Sequence, residues 1–369
     1  MTELSVVLIT KNQAWNVSRL IESVLEATSS LSSTEVTLVD SASTDETVEM
    51  AKCYPISILR LQGGQPLSPA IGRYVGYKHA KGEYILFLDG DTRLVPGWLP
   101  RALRMLQENL FAGAVTGRVI NLPTSAVAEE PAPPLLKNQL EAPREVLWGS
   151  YGGGGAALYR RSVLERVGTF NPYLCSDEEP ELGLRIRLAG YHFFELDYPI
   201  VRHYNDAPAA FSTVLSRRRR NFLLGIGQGA RYYLRSELLW PWLKERWWGP
   251  AATLWSIATL STLIATLVAR DSIWLKIWSL WLFLSLAGIT FRKRSLVRGL
   301  VAIFNWLLLS EGFVKGFLMT PLAPESFQAS LEVIQEHANT MQGIRALCSL
   351  SNVGRPPNRN SLPAVAPSH

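Results

Sequence analysis

The feature that most constrains this chain is a stretch of twenty residues without a charged side chain, at positions 250–269. That length matches the roughly 30 Å hydrocarbon core of a bilayer. A second apolar stretch follows at 273–291, and its one charged side chain, Lys276, lies off centre, where it can reach the membrane surface. Nine of the twelve tryptophans lie at or after Trp240, so composition also changes there. We therefore expect a water-soluble part followed by a membrane part.

Basic residues around the two apolar stretches predict their orientation. Eight lysines and arginines lie between positions 217 and 246, and a basic run follows the second stretch at 292–294. The turn between the stretches carries Arg270 and Asp271, whose charges cancel. Because positively charged flanks remain in the cytosol, both ends of the hairpin are predicted there. This makes the chain a multi-pass protein of the cell (inner) membrane, with its N-terminal part on the cytoplasmic face.

A third apolar stretch, 296–318, is less clear in its membrane role. It contains Glu311 and Lys315, spaced four residues apart as in a helical ion pair. The stretch could be a third span, a re-entrant segment or a helix lying in the plane of the membrane. The charged pair and the basic residues before it favour the in-plane helix.

The N-terminal part alternates short apolar runs with helical patterns. Strands are predicted at 4–10, 36–40, 56–61 and 84–89, and a helix at 69–79. Such alternation is typical of an α/β fold with a mostly parallel sheet covered by helices on both faces. Ligands of these folds bind beyond the carboxyl ends of the strands. Asp40 and Asp89 end two of the strands and are therefore predicted at that edge.

The strongest local signal is Asp89-Gly90-Asp91, directly after the strand at 84–89. Two close carboxylates suit a hard cation such as Mg²⁺ or Mn²⁺, and leave room for a diphosphate to complete the coordination. Alone, the pattern also fits a solvated turn. No Gly-x-Gly-x-x-Gly follows the first strand, which argues against a nicotinamide-dependent oxidoreductase. With 37 basic against 31 acidic residues, the charge is too small to indicate a nucleic-acid partner.

Several ordered segments together resemble glycosyltransferase family 2 with its GT-A fold, over about residues 4–205. The matching segments are 10–12, 39–45, 70–73, 82–91, 153–161, 167–170 and 178–185. The resemblance implies an α/β catalytic domain of the GT-A type, followed here by transmembrane helices. It also implies a nucleoside diphosphate sugar as donor and Mg²⁺ or Mn²⁺ as cofactor.

The resemblance assigns donor-binding roles to four polar residues and two glycines. Asn12 and Asp40 would contact the nucleotide, although the family often has a second aspartate where this chain has Ser41. Arg73 would approach the phosphates, and Asp89 would hold the ribose or the metal. The wall of the sugar pocket would include Gly153 and Gly154, for which a flexible turn is the alternative.

The resemblance also implies the metal ligands. Asp91 would bind the ion directly. His203 follows an apolar run at the position where relatives complete the metal site, although a lone histidine is often structural.

Four carboxylates within 177–181 precede a predicted helix at 182–189. An inverting transfer needs a carboxylate that takes the proton of the acceptor hydroxyl. In the register of the family, that base falls on Glu179, where aspartate is usual. Asp177 and Glu178 remain alternatives, and acids at a helix N-terminus can also be purely structural.

Four consecutive arginines occupy 217–220. They could form a solvated basic face or contact membrane phosphates. Alternatively, Arg217 and Arg220 could clamp the donor diphosphate or an acceptor phosphate.

The resemblance, together with these patterns, implies an inverting, metal-dependent glycosyltransferase of the hexosyltransferase class. Its acceptor would be membrane-associated, namely a lipid-linked glycan, a glycolipid or a carotenoid, in the synthesis of cell-surface polysaccharide or glycolipid. The alternatives are transfer to polyprenyl phosphate and an inactive sugar-nucleotide-binding membrane scaffold. The predicted parts are a catalytic domain at 1–230, an interfacial Trp/Arg-rich segment at 231–248, a membrane region at 249–320 and a partly disordered tail at 321–369.

Overall fold

The computed structural model describes residues 3–128, 142–146, 155–206, 211–269 and 272–336. The strands are β1 Leu4–Thr10, β2 Thr34–Asp40, β3 Ser57–Leu61, β4 Tyr84–Asp89, β5 Thr92–Leu94, β6 Ala112–Leu122, β7 Arg144–Glu145, β8 Ala157–Arg160, β9 His192–Tyr204 and β10 Leu331–Gln335. The helices are α1 Val17–Thr28, α2 Thr47–Ala51, α3 Pro69–His79, α4 Trp98–Glu108, α5 Arg161–Val167, α6 Glu178–Leu188, α7 Phe211–Arg219, α8 Gly225–Tyr232, α9 Leu239–Glu245, α10 Trp248–Ala269, α11 Ser272–Lys293 and α12 Leu296–Leu318.

The described strands form one mixed sheet in the order β10-β3-β2-β1-β4-β8-β6-β9-β5, with β7 paired to β9. The four strands β1 to β4 run parallel, as predicted. Beyond β4 the sheet becomes mixed, because β8 is antiparallel to both β4 and β6 while β9 is parallel to β6. The predicted α/β class with flanking helices is confirmed.

Burial on both faces explains the uninterrupted apolar sequence of β1. Val6 and Leu8 belong to the core on one face of the sheet, and Val7 and Ile9 to the core on the other. Helix α3 has the predicted bounds because Ser68 caps it, its side chain accepting from the Ile71 amide, while a proline opens the first turn.

After the sheet, α10 and α11 form an antiparallel hairpin. The indole of Trp255 donates to the Ser285 hydroxyl at 3.1 Å, and that of Trp281 donates to Thr259 at 3.0 Å. Both helices and α12 are long and apolar enough to cross a membrane. The predicted turn residues Arg270 and Asp271 lie outside the described residues.

Helix α12 crosses this hairpin instead of running alongside it. Gly299 lies against Thr290 near the end of α11, and Trp306 packs edge-on against Trp255 with ring centroids 6.0 Å apart. Further along, the side chain of Phe313 lies against the start of α10. These contacts span about 21 Å of α12 at 1.5 Å per residue, yet all involve the end of the hairpin nearest the sheet domain. If α12 ran parallel to α10, its later residues would lie farther from the end of the hairpin that is nearest the sheet domain.

The predicted interfacial segment at 231–248 is only partly exposed. Trp240 and Trp247 are exposed, at 76% and 58%. Trp242, however, is fully buried, and its indole donates to the Ile226 carbonyl at 3.0 Å. Trp242 is therefore a core residue within the segment predicted to be interfacial, because α9 folds back onto α8.

Close helix packing joins the membrane part to the sheet domain. Helix α8 meets α12 at glycines, and a Cβ at Gly227 would collide with the α12 backbone. On the other side of α8, the side-chain oxygen of Gln228 accepts a hydrogen bond from the backbone amide of Cys175, a residue just before α6. After α12 the chain returns to the sheet, where β10 pairs with β3 and forms the edge of the sheet.

Candidate active site

Three elements of the sheet domain converge on one buried guanidinium. Arg73 on α3 is 2% exposed. Its Nη2 lies 2.8 Å from Asp89 Oδ1 at the end of β4 and 3.2 Å from Glu179 Oε1 at the start of α6. Its Nη1 lies 2.7 Å from Glu178 Oε1. The predicted phosphate-binding arginine, the donor-binding aspartate and the predicted base therefore belong to one cluster.

Burial alters proton affinity within this cluster. It raises the pKa of Glu179 to about 8, although Arg73 acts in the opposite direction and Glu178 reinforces the rise. Burial also raises the pKa of Asp89 to about 6, again against the effect of Arg73 and with that of Asp91. A carboxylate with a raised pKa binds a proton more strongly, which suits a general base.

The other carboxylates of the acidic cluster each have a structural partner. Asp177 Oδ1 lies 3.0 Å from Arg246 Nε. Glu181 is 1% exposed, receives two hydrogen bonds from Arg185, and accepts a third from the Tyr233 hydroxyl. The helix begins at Glu178 and not at Leu182 as predicted, so three of the acids occupy its first turn.

Arg246 and Tyr233 were not predicted, because nothing in their local sequence indicates a partner more than 50 residues away. The Glu181–Arg185 pair does have a sequence signal, the helical spacing of four residues.

The predicted metal ligands face each other. Asp91 Oδ2 lies 3.3 Å from His203 Nε2, because β5 and β9 pair beside them. The other ring nitrogen, Nδ1, lies 2.9 Å from Asn121 Oδ1, which holds the ring in place, and the contact with Asp91 raises the pKa of His203. Asp91 Oδ1 is buried without a hydrogen-bond partner.

A carboxylate oxygen, an imidazole nitrogen and an orphaned buried oxygen suit Mg²⁺ or Mn²⁺. No group of three His, Cys, Asp or Glu side chains that could hold an ion occurs in the described ranges. Asp91 and His203 are a pair of described side chains that could contribute ligands to such an ion.

The backbone at Gly155 lies close to the carboxylate of Asp89. Gly155 has a φ of +65°, and a Cβ there would collide with that carboxylate. The predicted pocket glycines Gly153 and Gly154 directly precede it but lie outside the described residues.

The two predicted nucleotide contacts organise the loop after β2. Asp40 is fully buried and accepts from the amide of Ser43 at 2.8 Å and from its hydroxyl. The backbone of Asn12 has a φ of +54°, and its N–H donates a hydrogen bond to that hydroxyl. The side-chain oxygen of Asn12 accepts a hydrogen bond from the Thr44 backbone amide at 2.8 Å. The buried Asp40 carboxylate therefore holds the loop after β2 from within, while Asn12 is exposed beside that loop.

The four consecutive arginines at 217–220 differ in their contacts. Arg217 and Arg220 are exposed on and just after α7, and neither has an ion-pair partner among the described residues. Arg218 instead makes two 2.7 Å hydrogen bonds to Glu311 of α12.

Comparison with known proteins finds similarity to glycosyltransferases. The family described as Glycosyl transferase family 2 matches residues 5–168. An uncharacterised glycosyltransferase of Haemophilus influenzae is 24% identical over 188 residues, covering 50% of this chain and 61% of the relative. The poly(ribitol-phosphate) β-N-acetylglucosaminyltransferase TarS of Staphylococcus aureus is 30% identical over 115 residues, covering 30% and 20%. The chain thus spans less than two thirds of these relatives.

One solved structure shares the fold over most of its length. A mannosyltransferase from Pyrobaculum calidifontis, solved with GDP-Man and Mn²⁺, superposes with a TM-score of 0.56 at 19% identity, covering 86% of this chain and 87% of its own. The family match is confined to residues 5–168, and this part of the chain, with its mixed sheet and the Arg73-centred cluster at the carboxyl edge, is therefore similar to glycosyltransferase family 2.

Proposed function

We propose that this protein is an inverting, metal-dependent glycosyltransferase that moves a sugar from a nucleoside diphosphate sugar to a membrane-associated acceptor. The observation that carries the proposal is the shared guanidinium of Arg73, which contacts both Asp89 and Glu179. This contact supports the proposal because the carboxylate assigned to the donor and the candidate base lie against the same guanidinium.

Glu179 is the base in this proposal. Its carboxylate takes the proton of the acceptor hydroxyl as the oxygen attacks the anomeric carbon. Arg73 orients that carboxylate and prevents it from turning away. Asp177 and Glu181 are less suited, because each pairs with an arginine outside this cluster, Arg246 and Arg185 respectively. Glu178 shares Arg73 with Glu179 but lies closer to the guanidinium and is less exposed, at 9% against 18% for Glu179.

Asp91 and His203 would hold Mg²⁺ or Mn²⁺, as supported by the ion in the Pyrobaculum enzyme. A bound ion supplies Lewis-acid stabilisation of the leaving diphosphate. Asn121 fixes the His203 ring, so the imidazole nitrogen facing Asp91 is oriented before the ion binds.

The membrane part supports an acceptor at the bilayer surface. In this proposal α10 and α11 span the cell membrane, the basic flanks keep the catalytic domain in the cytoplasm, and α12 lies across the base of the hairpin. Acceptors that fit are a lipid-linked glycan, a glycolipid or a carotenoid hydroxyl, in the synthesis of cell-surface polysaccharide or glycolipid.

The test uses the full chain, purified in detergent with Mn²⁺ and a total membrane lipid extract. Labelled nucleotide sugars are supplied one at a time, and both lipid-bound label and released nucleoside diphosphate are measured. We expect one donor to give both products, and Asp91→Asn to give neither. Donor binding without release, in the presence of lipid, would contradict the proposal and favour a binding scaffold.

A further inference from the structure

A cavity of about 260 Å³ lies between α7 and the C-terminal part of α12, outside the site described above. Its charged lining residues are Arg218, Arg219, Lys315 and Glu311. Three cations against one carboxylate leave its wall with a net charge of +2. A cavity of this charge favours an anionic ligand.

Glu311, the single carboxylate of the cavity wall, pairs with two of the cations and leaves hydrogen-bond donors of the cationic groups for a ligand. Glu311 receives two hydrogen bonds of 2.7 Å from Arg218 and lies 2.5 Å from Lys315 Nζ. Lys315 has two further ammonium protons, and its side chain is 62% exposed. Arg219 has no ion-pair partner in the described part of the chain. Guanidinium and ammonium groups held in this way are suited to a phosphate.

The position of the cavity indicates where that phosphate comes from. Helix α12 crosses the hairpin at the end nearest the catalytic domain, which is the level of the lipid headgroups in the proposed membrane arrangement. Leu308 of α12 also lines the cavity, and the helix is apolar from there back to Leu300 apart from Asn305. An acyl or prenyl chain could extend along this surface while its phosphate lies among the cations.

The geometry points to a binding site for the phosphate of a membrane lipid, with Arg219 and Lys315 as its main donors. The inference rests on the proposed membrane insertion of α10 and α11, but not on glycosyl transfer. It also moves phosphate binding away from Arg217 and Arg220, which do not line the cavity.

Lipid retention by the full chain in detergent tests the inference without an activity assay. The purified protein is mixed with phosphatidylglycerol, phosphatidylcholine or farnesyl phosphate, and bound lipid is counted by native mass spectrometry. We expect phosphatidylglycerol and farnesyl phosphate to be retained at least tenfold better than the zwitterionic phosphatidylcholine. Preference between the two anionic lipids then tells a bulk phospholipid from a prenyl phosphate. Inorganic phosphate at the same concentration should displace neither.

Two variants and one matched control locate the site. Arg219→Gln and Lys315→Gln should each weaken retention of the anionic lipids about tenfold, since each removes a charged hydrogen-bond donor. Arg217→Gln removes the same charge from the same helix but not from the cavity, and should retain them like the native chain. The melting temperatures of all three show that each is folded. Equal retention of all three lipids, equal behaviour of the three variants, or displacement by inorganic phosphate would overturn the inference.

Discussion

Glu179→Gln isolates the proposed base with the least structural change. The amide keeps the size of the side chain and one oxygen near Arg73, but it cannot take a proton. Loss of a general base typically lowers the rate by ~10²–10⁴-fold. Because the lost interaction belongs to the reacting state, kcat should fall by that amount while the affinity for the donor stays close to native.

The raised pKa of Glu179 gives this prediction a second signature. Only the ionised carboxylate can accept the proton, so below the folded-state pKa of about 8 the active fraction falls as pH falls. At pH 7 about a tenth of the sites would be ionised, and kcat/KM should rise about tenfold between pH 6 and pH 7. Residual activity of Glu179→Gln should lack this rise.

The neighbouring carboxylates provide matched controls in the same assay. Glu178→Gln leaves Arg73 with two carboxylates, and we expect a much smaller loss of kcat. Glu181→Gln breaks a buried pair with Arg185, for which a cost of about 3–5 kcal/mol is typical, so its effect should be on melting temperature.

Donor titration and pH profiles of the folded variants decide the assignment. If Glu178→Gln or Asp177→Asn were the inactive enzyme while Glu179→Gln turned over normally, the base would have to be reassigned. Activity in all of them would remove the acidic cluster from the mechanism.

Three further predictions concern the metal, the helix packing and the topology. Asp91→Asn should lower activity by orders of magnitude without rescue by modest extra Mn²⁺, and near-native turnover would refute its role as a ligand. Gly227→Ala should lower the melting temperature because its Cβ meets the α12 backbone, whereas Gly288→Ala, with open space around it, should not; equal effects would contradict the described packing. A reporter fused after Arg294 should be cytoplasmic and one inserted at Asp271 external, and the reverse pattern would reject the proposed orientation.

The sequence was sufficient for features that depend on local pattern. The bounds of β1, β4 and α3 follow from uninterrupted apolar residues or from the cap at Ser68, and the structure has the same bounds. Helices α10 and α11 follow from length and apolar composition, which need no partner to be recognised. The position of Asp89 at the sheet edge is likewise a property of its strand.

Tertiary structure alone decided which charges meet. Asp177, Glu178 and Glu181 look alike in sequence, yet the first pairs with Arg246, 69 residues away, and the second with Arg73, 105 residues away. Trp242 likewise became a core residue because α9 folds onto α8. Such outcomes depend on how separate elements pack, since each side chain takes the partner that packing brings within reach. Local periodicity carries no information about that choice, so the partners emerge only in the folded chain.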